Sequence, residues 1–295
     1  MTERTNRPDR VAFVGFGEAG TAFVSGWGQA RPTSLRAYDA KTDMPETRAA
    51  LVERYGKHGV DGLDTLAAAL DGTEAVFCVV TADQAFSAAA AAAPLIAPGT
   101  LWFDCNSCAP GTKRRSAAVI DAAGGRYVDV AVMSPVYPKR HQVPLLIAGP
   151  HADAGEAVLS ALDMKPKRAG NEVGRASSIK MLRSVMIKGM EALTAECFLA
   201  ARRAGVEEEV IGSLEASDPD IKWRDRGAYN LERMMVHGTR RAAEMQEVAI
   251  TVDELGLGGG MSAAAAAWQA LIADLGAEPG EADLYARTDT ILARL

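Results

Sequence analysis

Short apolar runs alternate with longer mixed stretches through the first half of the chain. The runs at Val11–Val14, Leu35–Tyr38, Ala75–Val79, Thr100–Asp104, Arg126–Val130 and Leu145–Ala148 are rich in branched and aromatic side chains, which predicts strands. Between them, Thr21–Gln29, Gly62–Leu70, Gln84–Ala92 and Thr112–Ala123 read as helices. Strands spaced by helices at this rhythm form βαβ units, so the pattern predicts a mainly parallel sheet covered on both faces, a doubly wound α/β domain. The texture changes after Gly170. From Gly174 to Ala204 there is no proline, and Met181, Leu182, Val185, Met186, Met190, Leu193 and Leu199 are apolar over much of a helix circumference, as in a long central helix. Helices are expected again at Glu207–Glu215, Arg226–Leu255, Ser262–Asp274 and Glu281–Leu295, and no strand pattern returns. The expected division is 1–170 for the α/β domain and 171–295 for an all-α domain.

The first run leads directly into Gly15-Phe16-Gly17-Glu18-Ala19-Gly20, a complete G-x-G-x-x-G followed by a helical stretch. Gly15 suits the tight strand-to-helix turn, Gly17 lets the backbone approach a pyrophosphate, and Gly20 lets the helix pack against the strand. Phosphates would sit on the helix N-terminus, where unpaired N–H groups and the positive dipole end favour an anion. The second run ends in Asp39, 19 residues after Gly20, where a carboxylate can accept from the adenosine ribose hydroxyls. The α/β domain is therefore expected to be of the Rossmann type and to bind a dinucleotide. Asp39 favours NAD over NADP, because it would repel a 2′-phosphate; Lys41 nearby could tolerate one. Val80 and Thr81, where another strand ends, are expected to line the cofactor path.

Composition narrows the function classes. The 295 residues leave room for two domains. A net charge of −6 argues against nucleic acid or an anionic membrane as a main partner. No apolar stretch reaches the roughly 18 residues of a membrane span, and Met1–Arg10 reads as a polar tail and not a signal peptide. Four cysteines make no disulfide framework, so a cytoplasmic enzyme with a small-molecule substrate is expected. Cys105 and Cys108 form a C-x-x-C without a second pair, and the four histidines are scattered, so no metal site is expected and packing cysteines are the better reading.

Three segments carry candidate chemistry. The polar turn Asp104-Cys105-Asn106-Ser107-Cys108-Ala109-Pro110 closes a strand; Asn106 and Ser107 can hold a carboxylate or hydroxyl, and they are equally suited to capping the next helix. Lys180 lies on the long apolar helix, with Ser184, Lys188 and Glu191 following at helical spacing. Burial lowers a lysine pKa toward the range useful for proton transfer, although a solvated edge with a snorkelling lysine has the same spacing. His237, Arg240 and Arg241 sit together in His237–Met245, suited to an anion or to ordinary surface charge.

These blocks together resemble the β-hydroxyacid dehydrogenases, relatives of 3-hydroxyisobutyrate dehydrogenase and 6-phosphogluconate dehydrogenase, over essentially the whole chain. The Gly15–Gly20 loop is similar to the family's nucleotide loop, and Asp104-Cys105-Asn106-Ser107 to its substrate-binding turn. Tyr127–Pro135 stands where the family has D-A-P-V-S-G-G, which brings Ser134 in as a substrate contact. Gly174, followed six residues later by Lys180, is similar to G-x-G-x-x-x-K. The resemblance implies that Lys180 is the general acid/base, that Asn106 and Ser107 bind substrate, with Asn106 also near the cofactor, and that the helical domain builds a homodimer. It further implies hydride transfer between nicotinamide and a small hydroxy acid or related carboxylate-bearing alcohol. The departures are specific. Ser184 replaces the family's asparagine one turn after the lysine, Ile187 stands where phosphogluconate enzymes have a glutamate, and Ala176 replaces the second glycine. Met133-Ser134-Pro135 replaces Ser-Gly-Gly, and Val136-Tyr137-Pro138 follows, which makes the substrate loop bulkier. Ser184 is expected to act with Lys180 in the catalytic group, and Lys188, His237 and Arg241 are expected to support the substrate site. The rival readings are an imine reductase on the same fold, whose members typically lack a lysine at the position of Lys180, and a dinucleotide-binding sensor without turnover.

Overall fold

The computed structural model describes residues 7–295, so the first six residues of the N-terminal tail lie outside it. Eight strands form one sheet: β1 (Arg10–Val14), β2 (Ser34–Tyr38), β3 (Asp61–Gly62), β4 (Ala75–Cys78), β5 (Leu101–Asp104), β6 (Arg126–Val132), β7 (Pro144–Ala148) and β8 (Lys165–Gly170). Their order is β3-β2-β1-β4-β5-β6-β7-β8, with the reversal between β1 and β4 that marks the ligand crevice of doubly wound sheets. All pairs are parallel except β6–β7. Because β7 runs back against β6, the 133–143 connection begins and ends at the same rim as the turn after β5. The helices of this half are α1 (Glu18–Gly26), α2 (Pro45–His58), α3 (Leu66–Leu70), α4 (Ala85–Ala92), α5 (Pro110–Ala122) and α6 (Ala152–Ala161).

Side-chain alternation along the central strands builds two cores. On one face Phe13, Phe77 and Phe103 are register partners on β1, β4 and β5; Phe77 stacks on Phe13 at 5.5 Å and on Phe103 at 5.0 Å. Trp27, just past α1, closes that stack at 5.7 Å from Phe77. The other face buries Ala12, Val76, Trp102 and Tyr127.

Two strands escape the apolar pattern. β3 is only Asp61-Gly62, and β8 reads Lys-Pro-Lys-Arg-Ala-Gly; both are sheet edges, where polar side chains and proline are tolerated. The helix predicted over Gly62–Leu70 is shorter, because Gly62 belongs to β3. α3 starts after Thr65, whose side chain accepts from the Ala68 N–H. α2 and α6 are additional: α2 buries only Leu51 and Tyr55, and α6 buries Ala152, Gly155 and Leu159, stripes too thin to read by period.

The remaining helices are α7 (Arg175–Ala204), α8 (Glu207–Ser217), α9 (Trp223–Glu254), α10 (Gly260–Asp274) and α11 (Leu284–Leu292). The chain divides into two compact units, one ending at Lys180 and the other running from Met181 to Leu295. The division thus falls inside α7, ten residues beyond the one expected. The helical unit has its own core of Phe198, Leu231, Met234, Ile272, Leu284 and Ile291. Gly238 brings α9 close to α10: a Cβ there would lie 2.5 Å from the Gln269 carbonyl. Among the described residues, no helix is long and apolar enough to cross a membrane.

Candidate functional site

The glycine loop is shaped by what its neighbours leave. Gly15 has φ +81°, and a Cβ on it would lie 2.9 Å from both the Val79 carbonyl oxygen and Val80 Cγ1, so only glycine fits where β1 meets the end of β4. Gly20 lies against Phe16, 3.0 Å from where its Cβ would be. Gly17 has nothing within 4 Å of that position. It is also the N-cap of α1 and carries no side-chain cap, which leaves the first-turn amides of Glu18, Ala19 and Gly20 without intrahelical partners. That open, amide-lined cradle fits a pyrophosphate. Asp39 stands beside it. Its Oδ2 accepts from the Phe16 N–H at 2.9 Å and its Oδ1 from the Lys41 N–H at 3.0 Å, and each oxygen keeps a further lone pair for a ribose hydroxyl. Phe16 therefore spends its own N–H on Asp39 while its ring is fully buried. Thr81 is exposed and Val80 half-buried at the neighbouring strand end.

The turn after β5 is organised by Asp104, which the sequence places in the turn without marking a role for it. Its fully buried carboxylate accepts at Oδ1 from the Asn106 backbone N–H at 3.0 Å and from Asn106 Nδ2 at 2.7 Å. The same Oδ1 takes Lys113 Nζ at 3.0 Å, and Oδ2 takes the Tyr127 hydroxyl at 2.6 Å. Capping by Asn106 is not what is found: the N-cap of α5 is Ala109, with no side-chain cap. Since Oδ1 already accepts from a backbone N–H, the amide nitrogen of Asn106 must be the atom that faces it. Asn106 Oδ1 is left buried without a partner, an acceptor awaiting a donor. Next to it, half-buried Lys180 donates a hydrogen bond from Nζ to Ser107 Oγ. Asn106, Ser107 and Lys180 therefore meet within one unit, at the carboxyl end of the sheet.

Lys180 is held by the start of α7. Asp129 Oδ2 accepts from the Gly174 and Ser177 N–H groups at 3.1 and 3.2 Å, capping α7 with a carboxylate from β6. Gly174 has φ +97°, and a Cβ there would come within 2.9 Å of Arg114. Ala176, in place of the second glycine, is fully buried beside Ala131 and Ala148. Lys113 Nζ lies 3.6 Å from Asp129 Oδ1, and both side chains are completely buried. Burial alone would push the Lys113 ammonium toward neutrality, but the Asp104 and Asp129 carboxylates outweigh it and raise its pKa. Lys113 stands beside Arg114 and Arg115 and so reads as surface charge. A clue was present, however: with Ser116, Ala117 and Ile120 it lies on the buried stripe of α5.

The helical unit gathers a second polar cluster. Lys188 pairs with Glu244 at 2.7 Å, and Arg241 with Glu191 at 2.6 Å; Gln269 Nε2 donates to the other Glu191 oxygen at 2.8 Å. Burial lowers the Lys188 pKa, with Glu244 opposing, and raises that of Glu191, with Arg241 opposing. Burial and the neighbouring arginines lower the pKa of His237. Ser184 is buried, and Ser134 is half-buried in the 133–143 connection. Cys105 and Cys108 are buried thiols; burial pushes the Cys105 thiol up to about 12, which keeps it from acting as a thiolate. No metal-holding group of His, Cys, Asp or Glu occurs among the described residues.

Residues 10–167 match the model of the NAD binding domain of 6-phosphogluconate dehydrogenase. The chain belongs to the β-hydroxyacid dehydrogenase superfamily. Within that superfamily, residues 201–272 match a domain of unknown function, DUF1932. A conserved hypothetical protein from Sinorhizobium meliloti is 35% identical, with 100% of this chain and 99% of that one covered and a TM-score of 0.78. The 3-hydroxyisobutyrate dehydrogenase of Mycobacterium tuberculosis, solved with L-serine, is 17% identical over 96% of this chain and 99% of that one, with a TM-score of 0.71, a likeness of fold. An uncharacterized 28.5 kDa protein of Methanothermus fervidus is 26% identical over 50% of this chain, and the match spans 56% of that protein. The match to an NAD binding domain supports a nicotinamide dinucleotide as cofactor.

Proposed function

We propose that this superfamily member is a cytoplasmic NAD-dependent dehydrogenase acting on a small hydroxy acid or related carboxylate-bearing alcohol. The observation that carries the reading is the Lys180–Ser107 hydrogen bond beside the unpartnered Asn106 oxygen. When bound, the nicotinamide dinucleotide supplies the hydride acceptor or donor. The chain's own residues do the rest. Lys180 takes the proton of the substrate hydroxyl during oxidation and returns it during reduction. The Ser107 hydroxyl orients that amine, and Asn106 Oδ1 accepts from a hydroxyl or amide N–H, so this corner takes a donor group and not a carboxylate. Ser134 closes the site from the 133–143 connection. Ser184, Lys188, His237 and Arg241, the other residues expected to bear on substrate, lie in the helical unit, where Lys188 and Arg241 are ion-paired with Glu244 and Glu191. NAD is preferred because Asp39 offers acceptors to a ribose and repels a phosphate.

Fluorescence titration with NADH and NADPH, followed by turnover assays on 3-hydroxy acids, sugar acids and their keto forms, tests this. NADH is expected to bind at least about tenfold more tightly than NADPH, the scale of one charge-assisted hydrogen bond, and at least one hydroxy acid is expected to turn over. Tight cofactor binding without turnover of any of them, but with reduction of cyclic imines, would replace the reading by imine reduction.

The same proposal includes a homodimer built by the helical unit. Leu182, Met186 and Leu193 are exposed at 42, 65 and 52% and share one side of α7 by their spacing, an apolar strip that water covers poorly. Sizing with light scattering at micromolar concentration should give twice the chain mass; a monomer there removes this part.

A further inference from the structure

We propose that Lys113 is a positioning residue: its buried ammonium ties the Asn106–Ser107 turn to the first turn of α7, and so sets Lys180 against Ser107. The inference rests on reading Lys180 as the proton-transfer group. The hydrogen-bond and ion-pair partners of the Lys113 ammonium lie on β5 and β6. Its Nζ lies 2.6 Å from the Asp104 carbonyl, 3.0 Å from Asp104 Oδ1 and 3.4 Å from the Val130 carbonyl, with Asp129 Oδ1 at 3.6 Å. Two carboxylates thus converge on one ammonium, and each has its other commitments on a different part of the site. Asp104 holds both nitrogens of Asn106. Asp129 holds the Gly174 and Ser177 amides, with Lys180 in the turn that follows. Asp129 Oδ1 has no hydrogen-bond donor of its own, so the ammonium is what faces it.

Burying an ammonium with two carboxylates gains little net stability over apolar side chains of the same volume. What the arrangement provides is fixed position. Without the ammonium, two carboxylates would face each other in a dry interior, and one would have to take up a proton or turn away. Turning Asp104 releases Asn106; turning Asp129 releases the start of α7. Either moves the pair on which proton transfer depends, and displacements of about 1 Å cost on the order of 10²-fold in rate.

Lys113→Met keeps the length and removes the charge. Hydrogen exchange read by mass spectrometry should be at least about tenfold faster in the peptide covering 174–180 and unchanged in the glycine-loop peptide. The kcat per NADH-binding site should fall at least about tenfold with NADH affinity held. Adding Lys113→Met to Lys180→Ala should change kcat by less than about twofold, because residues acting as a unit are not additive. Unchanged exchange at 174–180 overturns the proposal, as does exchange raised evenly through the unit or an equal fall in both backgrounds. If Lys113→Met does not fold, Asp129→Asn takes its place with the same expectations, since an amide can still accept from Gly174 and Ser177 but presents no charge to Lys113. Absence of turnover in the unaltered protein defeats the reading of Lys180 alone; the exchange arm then still supports or overturns the tie.

Discussion

Lys180→Ala is expected to lower kcat by about 10²–10⁴-fold, the range for loss of a positioned general acid or base, with NADH affinity unchanged. The separation follows from placement. The cradle proposed for the cofactor is Gly15–Gly20 with Asp39, whereas Lys180 hydrogen-bonds Ser107 after the end of β5. Removing the amine also frees Ser107 Oγ, so substrate binding should weaken less than turnover falls. Steady-state kinetics with NADH titrations on both proteins provides the check, and partial rescue by added alkylamine would place the defect at the missing amine. A fall below about fivefold would mean that another group moves the proton, and Lys188 would be examined next.

Phe77→Ala is expected to destabilise the α/β unit by about 3–5 kcal/mol, the usual cost of deleting a buried aromatic ring. Phe77 is fully buried at the centre of a stack, with Phe13 at 5.5 Å, Phe103 at 5.0 Å and Trp27 at 5.7 Å. Three strands and the end of α1 meet on that ring, so the cavity cannot close by moving one side chain. Domain stabilities are commonly only 5–15 kcal/mol, and the variant should be close to unfolding at ambient temperature. Urea unfolding followed through Trp27 and Trp102 would measure it, a lower midpoint at unchanged slope being the expected form. A loss under about 1.5 kcal/mol would show that the stack repacks.

The central sheet was legible because β1, β4, β5 and β6 are buried along most of their length and therefore mainly apolar, and the nucleotide loop because its glycines answer steric needs visible in spacing alone. The edges were not legible: Asp61-Gly62 and the lysine-rich β8 become strands through pairing, which leaves no periodic trace. Lys180 and Asn106 stood out as polar groups in expected places. Lys113 did not, because three consecutive basic residues suggest a solvated face, and only the geometry of α5 turns one of them inward. Asp104 was hidden for a different reason. An acid at a turn satisfies local chemistry, and nothing in the sequence shows that Tyr127 and Lys113 converge on it from elsewhere.

The reversal between β6 and β7 has a consequence for variation at the rim. Both ends of the 133–143 segment are anchored on neighbouring antiparallel strands, with the Met133 N–H bonded to the Pro144 carbonyl at 2.9 Å. The segment is therefore held at both ends, and Val136, His141 and Val143 are buried along it, so its exposed positions are Pro135 and Tyr137 to Arg140. Substitution at those exposed positions would reshape the rim while the buried ones keep the core behind it intact.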